Sequence, residues 1–232
     1  MRTGIRICFL AWLIVTDLSR GWPSPAFPVR MVTVPRAKLC ITEGVLEERK
    51  GPRLAVSVPK MRAFVAAATT QVVETRLTYL GPTGAETRLG SGEMRRQFGL
   101  KLRAQNGCNL VYATWRIEPE SKLVVSVKRN PGMNSSSECG NRGYRNIKPR
   151  RWSAVPRLGR GDPHTLSADM EGSELRVSAD GNVVWEGDLG PEVLSFDGPV
   201  GVRTDNGRFE FELLVGEIGA PIPCRAGDTE SE

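Results

Sequence analysis

The chain reads as an all-β protein, a two-sheet antiparallel sandwich of the jelly-roll kind. Three observations lead there. Apolar and polar residues alternate with a period of two in several short runs, the pattern of strands with one buried face. Turn clusters rich in Gly, Pro, Asn and Asp separate these runs at a spacing of roughly 8–12 residues, as in sandwiches and barrels. Glu171-Gly172, Asp180-Gly181 and Asn206-Gly207 sit between alternating runs; dipeptides of this kind suit hairpin turns, because a type I′ turn needs positive φ at both central residues. No stretch sustains a helical period over three turns.

The elements follow in order. Arg2 and Arg6 precede an apolar run from Ile7 to Thr16, about ten residues and too short to span a bilayer. Ser24-Pro25-Ala26 offers small residues, so 1–26 is expected to be a signal peptide cleaved after Ala26, leaving an exported chain with no transmembrane segment. The segment 27–50 is Pro-rich and expected to be irregular, and 51–218 is expected to be the sandwich domain. Within it 54–58 and 62–68 read as short strands. In 71–80, Val73, Thr75, Leu77 and Tyr79 share one face and Val72, Glu74, Arg76 and Thr78 the other. Phe98, Leu100, Leu102 and Ala104 share a face of 97–104, opposite Lys101 and Arg103. In 109–118, Val111, Ala113, Trp115 and Ile117 oppose Leu110, Tyr112, Thr114 and Arg116. Pro119-Glu120-Ser121 turns the chain into a strand over 122–129. The break at 131–161 has little periodicity, four or five strands fill 164–215, and 219–232 is a polar tail.

Charge and cysteines narrow the classes. The formal net charge of +6 falls to +4 once Arg2, Arg6, Arg20 and Asp17 leave with the signal, so a basic binding surface must arise by local clustering. Cys40, Cys108, Cys139 and Cys224 remain. Four cysteines in an exported chain suggest two disulfides with three possible pairings. A zinc site is disfavoured: no Cys-x-x-Cys occurs and His164 is the one histidine. Cys108 and Cys139 lie at the same end of the expected 109–118/122–129 hairpin, which brings them within the reach of a disulfide.

From His164 onward the order His-x-Leu-x-Ala, Gly-x-x-Leu-x-Val-x-x-Asp-Gly-x-x-Val-Trp-x-Gly-x-Leu, Gly-x-Val-Gly-Val-Arg-x-Asp-Asn and Phe-x-Phe resembles the concanavalin A-like lectin/glucanase superfamily, in particular its laminin-G-like and 3-keto-disaccharide-hydrolase-like members. The match covers 164–215 by motif and 72–129 by strand pattern. The resemblance implies a jelly roll whose terminal strands are neighbours, and hence a Cys40–Cys224 bond that clamps the ends beside Cys108–Cys139. It does not carry activity, since fold does not fix function. The glucanases of that superfamily hold a Glu-x-Asp-x-x-Glu cluster on one strand. Here Asp169-Met170-Glu171-Gly172-Ser173-Glu174 straddles a turn instead, which aims its carboxylates outward.

Two regions offer ligand-binding residues. The run 140–161 carries Arg142, Arg145, Lys148, Arg150, Arg151, Arg157 and Arg160 with Tyr144 and Trp152 interleaved and no acidic residue short of Asp162. Arginine forks pair with carboxylate, sulfate or phosphate, and aromatic rings stack on flat partners. Tyr112 and Arg116 form the second region, on what is expected to be the concave face, with Lys101 and Arg103 beside them. Trp185 is expected to pack in the core or at a sheet edge. Asp162, His164 and Ser153 or Ser167 lie too close in sequence for a hydrolase triad, and no Gly-x-Ser-x-Gly elbow occurs. Turn duty accounts for Asp180, Asp205 and Asn206 without a metal, and no cofactor motif is present. The expectation is an exported, non-catalytic sandwich whose partner is a glycan or a polyanion at the cell surface, not nucleic acid. A glycan hydrolase or lyase with an unfamiliar site, and a structural envelope protein, are the rival readings.

Overall fold

The computed structural model describes residues 30–224; the expected signal peptide lies outside them. Two antiparallel sheets stack face to face. The nine-stranded sheet runs Arg151–Trp152, Asn182–Asp188, Glu174–Ala179, Pro163–Glu171, Val72–Pro82, Gly207–Val215, Leu54–Val56, Glu47–Glu48, with Val32–Thr33 also pairing to Gly207–Val215. The seven-stranded sheet runs Tyr144–Asn146, Lys122–Lys128, Leu110–Glu118, Arg96–Leu102, Gly201–Asp205, Lys60–Val65, Leu39–Glu43. Hairpin-linked runs are joined by strands distant in sequence, such as Gly207–Val215 beside Val72–Pro82 and Gly201–Asp205 beside Arg96–Leu102, as in a jelly roll. No helix among the described residues is long and apolar enough to cross a membrane.

The alternating patterns place the faces as expected. Val73, Leu77 and Tyr79 turn inward from one sheet, and Phe98, Leu100, Val111, Ala113 and Trp115 from the other. Phe98 meets Phe209 and Phe211 edge-on across the sandwich at 5.2 and 5.3 Å between ring centres, a geometry worth about 0.5–1.5 kcal/mol per pair beyond area burial. Trp185 is buried in the same core. Asp180 and Gly181 take φ of 50° and 78° between paired strands, the positive pair a type I′ hairpin needs.

Three expectations are corrected. Of the expected irregular segment 27–50, the described residues 30–50 carry strands: Leu39–Glu43 pairs with Lys60–Val65 at the sheet edge, and Val32–Thr33 and Glu47–Glu48 join the other sheet. Pro35 sits between Val32–Thr33 and Leu39–Glu43, where no ladder bond is lost. Asn206-Gly207 is no hairpin. Gly201–Asp205 belongs to the seven-stranded sheet and Gly207–Val215 to the nine-stranded one, so the turn carries the chain across the sandwich. The expected tail begins as a strand, since Ile218–Pro221 pairs with Ala67–Thr69. That strand brings Cys224 to Cys40, with Cα atoms 5.4 Å apart, and Cys108 bonds Cys139 at 5.9 Å.

Candidate functional site

Two loops fold over the outer face of the seven-stranded sheet and turn it into a groove. The first, 83–95, is pinned by Asn206. Its side-chain amide donates to the carbonyls of Thr87 (2.8 Å) and Arg95 (2.9 Å), and its Oδ1 accepts from the Thr87 amide (2.8 Å). The second, 130–143, is held by amides and sulfur. Asn130 donates to the carbonyls of Cys108 and Arg142, Asn109 donates to the carbonyl of Met133, and Cys139 ties the short helix Ser136–Cys139 to Cys108. The loops meet at Gly90, where a Cβ would lie 2.6 Å from the Asn141 amide. A larger residue here would have to push that amide aside.

Beneath the loops lies a cavity of about 260 Å³ lined by Arg95, Gln97, Tyr112, Thr114, Arg116, Ser126, Tyr144, Asn146 and Arg203 among others. A second, of about 200 Å³, shares Gly90, Tyr112, Asn141, Tyr144 and Arg203 with it and adds Arg62, Lys128 and Glu43. Tyr112 stacks on Tyr144 with ring centres 6.1 Å apart and planes 19° off parallel. The Arg203 guanidinium covers the Tyr112 ring at 4.7 Å, and the Lys128 ammonium lies 5.1 Å from the Tyr144 centre. Both are cation–π distances. Tyr112 is buried in this stack and Tyr144 is 42% exposed, so Tyr144 is the ring that solvent reaches. Gly99 makes room for Arg203, since a Cβ there would sit 3.1 Å from its Cγ.

The floor is charged yet balanced. Asp205, fully buried, receives Arg62 at 2.6 Å, Gln97 at 2.7 Å and Arg203 at 2.9 and 3.1 Å. Burial pushes its carboxyl up, but the Arg203 and Arg62 charges and the Gln97 and Arg62 hydrogen bonds outweigh that and hold it at about 2. Glu93 pairs with Arg95, and Glu43 lies 3.8 Å from Arg62. Arg116 differs: its buried Nε has no hydrogen-bond partner among the described residues. Burial, then the like charge of Arg95, lowers its pKa to about 10 against the opposing pull of Glu120. It stays cationic at neutral pH.

The structure brings Tyr112, Arg116 and Tyr144 into one groove, sets Trp152 on the wall of a cavity that adjoins it, and disperses the rest of the expected set. The chain between 140 and 161 adds Tyr144–Asn146 to one sheet and Arg151–Trp152 to the other, so its arginines do not form one cluster. Arg142 donates to carbonyls of its own loop, Arg145 pairs with Glu192, and Arg150 reaches both Glu174 and Glu186 at 3.0 Å. Arg151 and Trp152 are exposed on the edge of the nine-stranded sheet. Lys101 stands in register with Tyr112 and is buried, whereas Arg103 turns away to the Phe196 carbonyl and Asp197. His164 bonds Asp180 at 2.7 Å, not Asp162, and the hydroxyl of Ser153 donates to the Val183 carbonyl; no triad forms. Glu171 and Glu174 face each other across a hairpin tip, with Glu174 engaged by Arg150.

Sequence reasoning missed Arg203, Asp205 and Asn206 as site residues, although all three stand in the closing motif. The visible clue was two opposite charges, Arg203 and Asp205, at alternate positions of one short strand. Both then point to one face, and both demand partners.

No family model matches this chain, and no curated protein matches it. Solved structures do. A carbohydrate-binding module from Bacillus subtilis (CBM66) matches with a TM-score of 0.51 at 13% identity, over 75% of this chain and 91% of that one. The carbohydrate recognition domain of Emp46p matches with a TM-score of 0.51 at 11% identity, over 78% and 89%. At such identities the likeness is one of fold. It shows that this chain shares the antiparallel β-sandwich fold of those domains.

Proposed function

We propose that this protein is an exported, non-catalytic module that binds carbohydrate in the groove over the seven-stranded sheet. The carrying observation is the stacked Tyr112–Tyr144 pair, fixed by two cations and ringed by amide, hydroxyl and guanidinium groups. An aromatic ring with convergent hydrogen-bonding groups suits a sugar, which has an apolar ring face and a polar rim. The carbohydrate-binding folds of similar shape support the reading, and the two disulfides fit an oxidising compartment.

The groove carboxylates speak against glycosidase chemistry. That reaction needs one carboxyl held protonated and a second placed across the scissile bond. Asp205 is held ionised by two guanidiniums, and Glu93 and Glu43 are engaged by arginines. A glycan array with the wild type and Tyr144→Ala tests the proposal. The wild type is expected to retain glycans and the variant to lose them, while β-glucan incubated with the wild type releases no reducing ends. An array blank for the wild type, or unchanged in the variant, would overturn it.

A further inference from the structure

The groove does not stop at the sheet. A larger cavity, about 650 Å³, opens beyond it between the strand Lys122–Lys128 and the segment 147–155. Arg116, Val124 and Asn146 line both this cavity and the first one, so the two meet at Arg116. Along its far wall stands Trp152, 74% exposed, whereas Trp115 and Trp185 are buried in the core. A tryptophan held on a strand by its backbone, with its ring in water, is a ready platform for an apolar face.

Among the arginines that line the groove, Arg116 stands apart. Arg62 and Arg203 share Asp205, and Arg95 has Glu93. The Arg116 Nε has no acceptor. Glu120, which attracts it, is itself paired with Lys122. The Nε is closed to the cleft, but the rest of the guanidinium lines both cavities, and a guanidinium binds carboxylate or sulfate with directed, charge-assisted hydrogen bonds. We propose that the ligand is an acidic glycan chain whose carboxylate or sulfate sits on Arg116 and whose next sugar ring rests on Trp152. This rests on the groove being a glycan site and names the class of glycan it takes.

Titration calorimetry with charge-matched pairs tests it: hexagalacturonate against its methyl ester, and a heparin hexasaccharide against its desulfated form. The wild type is expected to bind at least one acidic member about tenfold or more tighter than its neutral counterpart, with the gap closing as salt rises. Arg116→Gln should erase the gap between acidic and neutral members. Arg116→Lys, which keeps the charge and loses the fork, should retain part of it. Trp152→Ala should weaken the hexamer several-fold and the monosaccharide of the same sugar much less. Equal binding of acid and neutral members, no binding of either acid, or a gap that survives in both Arg116 variants would overturn the inference. Charge-indifferent glycan binding would do so while leaving the proposed function standing. Circular dichroism of each variant separates a lost contact from a lost fold.

Discussion

The two outer faces of this sandwich are built from the same residue types in the same alternation, and they behave differently. On the nine-stranded sheet, Arg76 lies opposite Glu212 on the neighbouring strand, and Arg49, Arg53, Glu74 and Glu210 surround them. Their contacts are 3.3–3.8 Å, with Arg53 and Arg76 side chains 62% and 58% exposed. On the seven-stranded sheet, Arg62, Arg203 and Asp205 are at most 8% exposed. The difference is the loops, which cross one face and leave the other open. Water screens the first set of charges at little cost. The second set had to be matched partner for partner, because an unpaired buried charge costs several kcal/mol. A binding groove on this scaffold is thus made by what covers a sheet, more than by what the sheet displays.

Breaking the covered network should produce the largest effect. Asp205→Asn removes the charge that balances Arg62 and Arg203, and the loss expected from denaturant unfolding is about 3–5 kcal/mol. The same carboxylate gives a pH signature. Its folded pKa, about 2, lies below the unfolded value of about 3.9. Its contribution is therefore complete above the unfolded value and is lost as pH falls toward 2. The wild type should lose stability over that acid window, and Asp205→Asn should lose less there. An unchanged unfolding midpoint in the variant would show that the guanidiniums find water or another partner.

What was legible in the sequence follows the same divide. Period-two alternation fixed the inward faces of Val72–Pro82, Arg96–Leu102 and Leu110–Glu118, because burial imposes the pattern directly. Tyr112 and Arg116 were readable as one outward row for that reason. The short edge strands Tyr144–Asn146 and Arg151–Trp152 were not, since two or three residues carry no period. The arginines between them looked like one patch because charge is visible in sequence and partners such as Glu174, Glu186 and Glu192 are not. Asn206-Gly207 misled in another way. Asn206 has the positive φ, 57°, that a hairpin position needs, and local geometry does not reveal whether the next strand returns to the same sheet.

The covering loop itself offers an intermediate test. Asn206→Gly keeps the left-handed backbone accessible and deletes the amide that holds 83–95. About 1–3 kcal/mol should be lost, the cost of stranding buried donors and acceptors. Hydrogen exchange should speed up at the Thr87 amide, and glycan affinity should fall although no groove-lining side chain has changed. Unaltered exchange at Thr87 would mean that the loop is held by other contacts.

The smallest effect belongs to the open face. Glu212→Ala removes the acceptor of both Arg53 and Arg76, whose contacts at 3.8 and 3.7 Å lie at the long end for ion pairs. The charges it leaves behind are half in solvent and need no replacement, so the change in unfolding free energy should stay within about 0.5 kcal/mol. Glycan binding should not change, because this face lies across the core from the groove. A loss above 2 kcal/mol would show that the open network contributes like a buried one. A loss of glycan binding would move the site to the wrong side of the sandwich, and either result would undo the contrast between a covered face that is matched charge by charge and an open face that water serves.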